Sequence, residues 1–97
     1  MALERALRES LRWHVLEVLD AARPDWLSEL ILLASFSSGW PGVTRDTLRR
    51  EVDYLRLAGL LTVEVNTQGW LLKPTREGVD VVEYTVGCPA GIARPVK

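Results

Sequence analysis

Ninety-seven residues, 47% hydrophobic and 26% charged, predict one soluble globular domain with a modest core and exclude disorder. The formal net charge of −1 supplies no overall cationic field, so a nucleic acid or an anionic membrane would have to be held by a local patch. A lone cysteine, Cys88, cannot form an intramolecular disulfide or a structural zinc site, which points to a reducing, cytoplasmic setting.

The opening MALERALRES is charged from its fourth residue and has neither a signal-peptide apolar region nor a spanning segment. From Leu3 to Ala22 the apolar residues Leu3, Leu7, Leu11, Val15, Val18, Leu19 and Ala22 recur at three- and four-residue steps. That spacing predicts a helix with one apolar face and with Glu4, Arg5, Arg8, Glu9, Arg12 and Glu17 towards solvent. Pro24 ends it, having no N–H to continue the ladder. A second helix is expected from near Asp25 through WLSELILLASF, with Leu27, Leu30, Ile31 and Ala34 inward. The cluster SSGWPG, Ser37 to Gly42, predicts a turn, and Thr44 offers a hydroxyl cap for a third helix. This helix is expected from about Arg45 to Ala58. It would bury Leu48, Val52, Leu55 and part of Leu57 or Tyr54, with Asp46 at the positive end of its dipole and Gly59 as its left-handed terminator.

The period then changes. Leu61, Val63 and Val65 alternate with Thr62, Glu64 and Asn66, TQG reads as a turn and GWLLKP as a returning strand, which together make a β-hairpin. Pro74 ends the hairpin and Thr75 caps a fourth helix, TREGVDVVEYTV, whose apolar face is Val79, Val82 and Val86 and whose start is weakened by Gly78. Residues 1–87 are expected to form the domain. Residues 88–97, with two prolines and one glycine, are expected to form an irregular tail that either wraps on it or stays mobile.

The expected order is helix, helix, helix, β-hairpin, helix: a mostly α, α+β domain in which short connections make the second and third helices a helix-turn-helix unit. The chain resembles the winged helix-turn-helix family of bacterial and phage regulators. VTRDTLRREVDYLRLAGLLTV is similar to the recognition helix and first wing strand of MarR-, ArsR- and PadR-type domains, where a helix ends in "GL" and a hairpin begins. KPTREGVDVV is similar to the "LTxxG" entry of the helix after the wing, with Pro74 where that pattern usually has leucine. The small size and the trailing GIARP are similar to ArsR-like proteins of Mu-type phages and prophages. The resemblance covers roughly Leu3 to Val86. It implies a DNA-binding transcriptional regulator acting as a homodimer, although winged helices also serve as protein-docking or assembly modules.

On that resemblance, Arg45, Asp46, Thr47, Arg49 and Arg50 near the start of the third helix are the expected readers of a major groove. Arg45 and Arg49, four apart, share a face, and either could present a planar fork to guanine. The competing reading is that these arginines only solvate the helix by pairing with Asp46, Glu51 and Asp53; four arginines stand against three acids from Arg45 to Arg56. The hairpin tip, Asn66, Thr67, Gln68 and Gly69, carries no charge, so Asn66 and Gln68 would contribute only hydrogen bonds, with Lys73 the nearest cation on the hairpin. The expected dimer contact runs over the first and last helices, through Leu3, Leu7, Leu11, Trp13, Val82 and Tyr84. Trp13 is a subunit contact if partly exposed. Of the four tryptophans, Trp13, Trp26, Trp40 and Trp70, two or three are expected to close the core.

Catalysis is not expected. His14 sits among apolar neighbours, Cys88 has no histidine to activate it, and no His/Cys/Asp cluster has metal-ligand spacing. The ArsR resemblance carries over no metal sensor, because the cysteine pair that thiolate sensing needs is absent. No cofactor is expected.

Overall fold

The N-terminal stripe forms α1, Ala2–Ala21, in a computed structural model that describes residues 2–36, 39–40 and 42–96, with side chains from residue 4 onward. Leu11, Val15, Leu16 and Leu19 are buried along its inner face, whereas Leu7, one turn earlier, is 52% exposed. Arg12, expected towards solvent, is buried instead. Its guanidinium Nε donates to Glu51 Oε1 at 2.8 Å and its Nη1 donates to the Gly91 carbonyl at 2.8 Å.

The chain does not enter the second helix at Asp25. Leu27 and Ser28 form a two-residue strand, β1, paired antiparallel with the strand described below as β3, and the Ser28 hydroxyl accepts from Leu30 N–H at 3.2 Å. The strand pairing and the cap together start the helix, α2, only at Glu29, and it runs to Ser35. Starting there, α2 turns Leu32 inward, with Phe36 one turn later; Leu30, Ile31 and Ala34, expected inward, face solvent. Of the expected turn Ser37–Gly42, residues 37, 38 and 41 lie outside the described residues. Trp40 folds back by donating its N–H to the Phe36 carbonyl at 2.8 Å.

Thr44 caps α3, Arg45–Leu57, by accepting from Thr47 N–H at 3.2 Å. Leu48, Val52 and Leu55 are buried as the period requires, while Leu57 is 73% exposed and Tyr54 borders on solvent. The helix ends in two bonds, Gly59 N–H to Arg56 O and Leu60 N–H to Leu55 O, both 3.0 Å. They close around Gly59 at φ 80°, the left-handed geometry that glycine adopts without strain.

The hairpin follows at once as β2, Leu61–Asn66, and β3, Gly69–Pro74, in register from Leu61 opposite Pro74 to Asn66 opposite Gly69. The sheet is antiparallel in the order β1-β3-β2, so the middle strand belongs to the end of the hairpin and carries the fully buried Leu72. Leu61 is buried but Val65 is 69% exposed, because the tip of the hairpin runs past the core. Thr75 then caps α4, Arg76–Val82, and donates its hydroxyl to the Gly59 carbonyl at 2.7 Å. Gly78 earns its place at this junction: a Cβ there would overlap the Leu60 carbonyl oxygen.

Helix α4 stops at Val82 rather than running to Val86. Tyr84 lies at φ 62°, a left-handed conformation that no helix continues through. The tail wraps. Ile92 is buried in the core, Ala93 N–H donates to Glu9 O at 3.1 Å, and Arg94 Nη1 donates to the carbonyls of Val81 and Val86 at 3.0 and 2.8 Å. Trp13 is buried, Trp40 and Trp70 pack against the core, and Trp26 is 41% exposed. The result is an α+β domain of four helices and a three-stranded antiparallel sheet. No described helix is long and apolar enough to cross a membrane.

Glu51 has no solvent exposure and carries the pairing between α1 and α3. Glu51→Ala strands the Arg12 guanidinium in a buried site and is expected to cost about 3–5 kcal/mol in urea unfolding. Gly78→Ala is expected to lower the same midpoint by forcing α4 off Leu60, whereas Glu77→Ala, at the exposed position beside it, should change it far less.

Candidate nucleic-acid interface

The first half of α3 is where the expected DNA-reading residues lie, and the fold treats them differently. Arg45 and Asp46 are exposed on the first turn, and Arg45 makes no hydrogen bond or ion pair among the described residues. Thr47 is half-buried. Its N–H is held by Thr44 Oγ1, and the two hydroxyls lie 3.0 Å apart.

Arg49 is committed elsewhere. Its Nε and Nη2 donate to the two oxygens of Glu29 at 2.7 and 2.6 Å, a bidentate fork onto the first residue of α2. Glu29 is 2% exposed and also accepts from Trp70 N–H at 2.8 Å, while the Arg49 guanidinium lies 4.6 Å from the centre of the Trp70 ring. One carboxylate therefore joins α2, α3 and the start of β3, and sets the hairpin turn beside the first half of α3. The fork and the Trp70 N–H hold the Glu29 carboxyl below its ordinary pKa against the opposing effect of burial, with the charges of Arg49 and Arg45 adding to the shift. The same pairing raises Arg49 above its ordinary value. A guanidinium engaged in this way is not available to a guanine edge.

Arg50 remains largely open. Its side chain is 61% exposed, with Nε 3.5 Å from Glu51 Oε2. Helical spacing places Asp46, Arg50, Asp53 and Leu57 on the same outward face, and Asp53 is held by Arg56 at 2.7 Å. That face is of mixed sign.

At the hairpin tip Asn66 is used by the turn itself, accepting from Gln68 N–H at 2.8 Å; Gln68 is exposed. The Lys73 ammonium sits 5.8 Å from the centre of the Trp26 ring. The expected dimer residues are mostly spent inside the chain. Leu11 and Trp13 are core residues, Val82 packs against the core, and Tyr84 stands edge-on to Trp13 with its hydroxyl donating to Pro95 O at 2.6 Å. A domain this small needs those side chains for its own core. The Leu3 side chain lies outside the described part, which leaves Leu7 as the exposed member of the set.

Of the two acids that organise this region, Glu51 is expected to pair only with arginines of its own helix and Glu29 has no mark in the sequence, because Arg8, Arg12 and Arg49 meet them across 43, 39 and 20 residues. His14 packs its ring 4.7 Å from that of Phe36, and Cys88 is half-buried with Sγ 3.8 Å from Ile92 O. Among the described residues no three His, Cys, Asp or Glu side chains group as metal ligands. No known protein-family model, curated protein or solved structure matches this chain.

A carboxyl with a depressed pKa in the folded state contributes stability above its unfolded value, and loses it as pH falls through the folded one. The Glu29 contribution is thus full at neutral pH and fades as acid is added below the ordinary glutamate value of 4.5. Wild-type protein should lose more stability across that acid limb than Arg49→Ala, as read from unfolding midpoints at stepped pH. Parallel profiles would show that the fork does not stabilise the fold.

Proposed function

We propose that this chain is a winged helix-turn-helix DNA-binding regulator of a phage, prophage or bacterium, acting in the cytoplasm as a homodimer, with the first turns of α3 entering the major groove. The observation that carries the reading is the Glu29–Arg49–Trp70 clamp. It holds α2, α3 and the hairpin as one unit and leaves Arg45, Asp46, Thr47 and Arg50 on the open side. The order α1-β1-α2-α3-β2-β3-α4, with β3 between β1 and β2, supports it further.

In this reading Arg45 and Arg50 meet base edges or phosphates, Asp46 and Thr47 border the groove, and Arg49 positions the helix against the wing. Asn66 and Gln68 at the wing tip add neutral contacts that release no counterions. A homodimer sets two copies of α3 on half-sites roughly 34–36 Å apart, with Leu7 the exposed apolar residue offered by α1. A protein-docking module is the second reading. It is favoured by the mixed outward face of α3 and by the exposure of Leu30 and Ile31 on α2, at 55% and 61%.

A salt titration of binding to duplex DNA separates the two. Binding should weaken steeply with salt, and Arg45→Ala and Arg50→Ala should each cost about 1–3 kcal/mol where the lost group reads a base. Arg49→Ala should lose affinity only in step with stability. Absence of binding at low salt, or full affinity in the Arg45→Ala/Arg50→Ala double variant, would leave the docking reading.

A further inference from the structure

The charge at the start of α3 does not end with that helix. Three guanidinium groups converge on the buried Glu51 carboxylate: Arg12 Nε on Oε1 at 2.8 Å, and Arg8 Nε and Arg50 Nε on Oε2 at 3.0 and 3.5 Å. Arg12 is fully engaged, since it also donates to Gly91 O and its guanidinium lies 3.6 Å from the centre of the Tyr54 ring. Arg8 and Arg50 are not. Their side chains are 39% and 61% exposed, and both line one groove of about 390 Å³ together with Thr47, over an apolar floor of Leu7, Leu11, Trp40 and Val43.

Arg5, one turn before Arg8, is exposed and shares an adjoining depression of about 250 Å³ with Glu4, Arg8 and Arg12. Four guanidinium groups therefore face two carboxylates, Glu4 and Glu51. Among the residues lining the two depressions two positive charges are left over, with Asp46 one turn before Arg50 and Glu9 one turn after Arg5 bordering them, whereas the hairpin tip has none.

We infer that the phosphate backbone of duplex DNA is held by α1, through Arg5 and Arg8 acting with Arg50 of α3, in place of a basic wing. This inference rests on the DNA-binding reading. Glu51 gathers Arg8 and Arg50 between the two helices through their Nε atoms, and a phosphate would meet the solvent-exposed remainder of both side chains. Arg5 extends the same line along α1, so the backbone would track the helix beyond the groove that α3 enters.

The test is the slope of log affinity against log salt for full-length protein on duplex DNA. Each lost phosphate contact should reduce that slope by about 0.9. Arg5→Gln, which breaks no ion pair among the described residues, should lower it by about that amount with an unchanged melting temperature; Arg5→Gln/Arg8→Gln should lower it by about twice as much. Arg23→Gln, just past the far end of α1, should leave it unchanged. Salt-dependent wild-type binding with an unaltered slope in Arg5→Gln would overturn this inference and leave the proposed function standing. A wild-type chain that binds no duplex at low salt would remove both. Binding to phosphatidylserine vesicles that needs Arg5, with duplex binding that does not, would also overturn it and assign the patch to a lipid surface.

Discussion

A carboxylate with no access to solvent holds this small domain together where α1, α3 and the tail meet. Burying Glu51 is costly unless its charge is matched and its lone pairs are filled, and Arg12 and Arg8 do both from α1. Arg12 in turn is buried and must satisfy its own donors. It does so on Gly91 O, and its stacking on Tyr54, whose hydroxyl donates to Ala90 O at 3.3 Å, brings the tail over the helix pair. One buried acid thus orders three segments distant in sequence: α1, α3 and the tail at Ala90 and Gly91.

The same device recurs at the other side of α3. Glu29 begins α2, is almost fully buried, and is matched by a bidentate guanidinium and a strand N–H. Helix α3 is therefore held by polar contacts on both flanks, to α1 through Glu51 and to α2 and β3 through Glu29, while Leu48, Val52 and Leu55 seat it on the apolar core. Apolar packing tolerates small slides between elements; paired charges with fixed donor geometry do not. Of the two acids, Glu29 is the one that ties the first half of α3 to the start of the hairpin's second strand, and Glu51 ties α3 to α1.

That arrangement changes how the arginines divide. Counted along the sequence, Arg45, Arg49 and Arg50 look equivalent, and Arg12 looks like one more solvent-facing charge. In the fold Arg49 and Arg12 are structural, Arg45 makes no hydrogen bond or ion pair among the described residues, and Arg50 shares a carboxylate with Arg8 of a different helix. Exposed or half-exposed arginines thus lie along α1 and the start of α3, and none lies at the hairpin tip. Residues nominated for dimer contact are divided likewise: Leu11 and Trp13 serve the core, and Leu7 faces solvent.

Local pattern was enough for the helix of residues 2–21, for α3 with its Thr44 cap and Gly59 stop, and for the hairpin with Pro74 and Thr75 after it, because periodicity, capping and turn chemistry act over a few residues. It was not enough for β1, whose two residues are extended only because β3 returns beside them, nor for the true inward face of α2, which follows from where β1 ends. It could not separate an arginine left open to solvent from a structural one. That distinction depends on which acid each guanidinium meets, and Arg49, Arg12 and Arg8 meet Glu29 and Glu51 across 20 to 43 positions of chain, where spacing carries no information and only the packed fold brings the charges together.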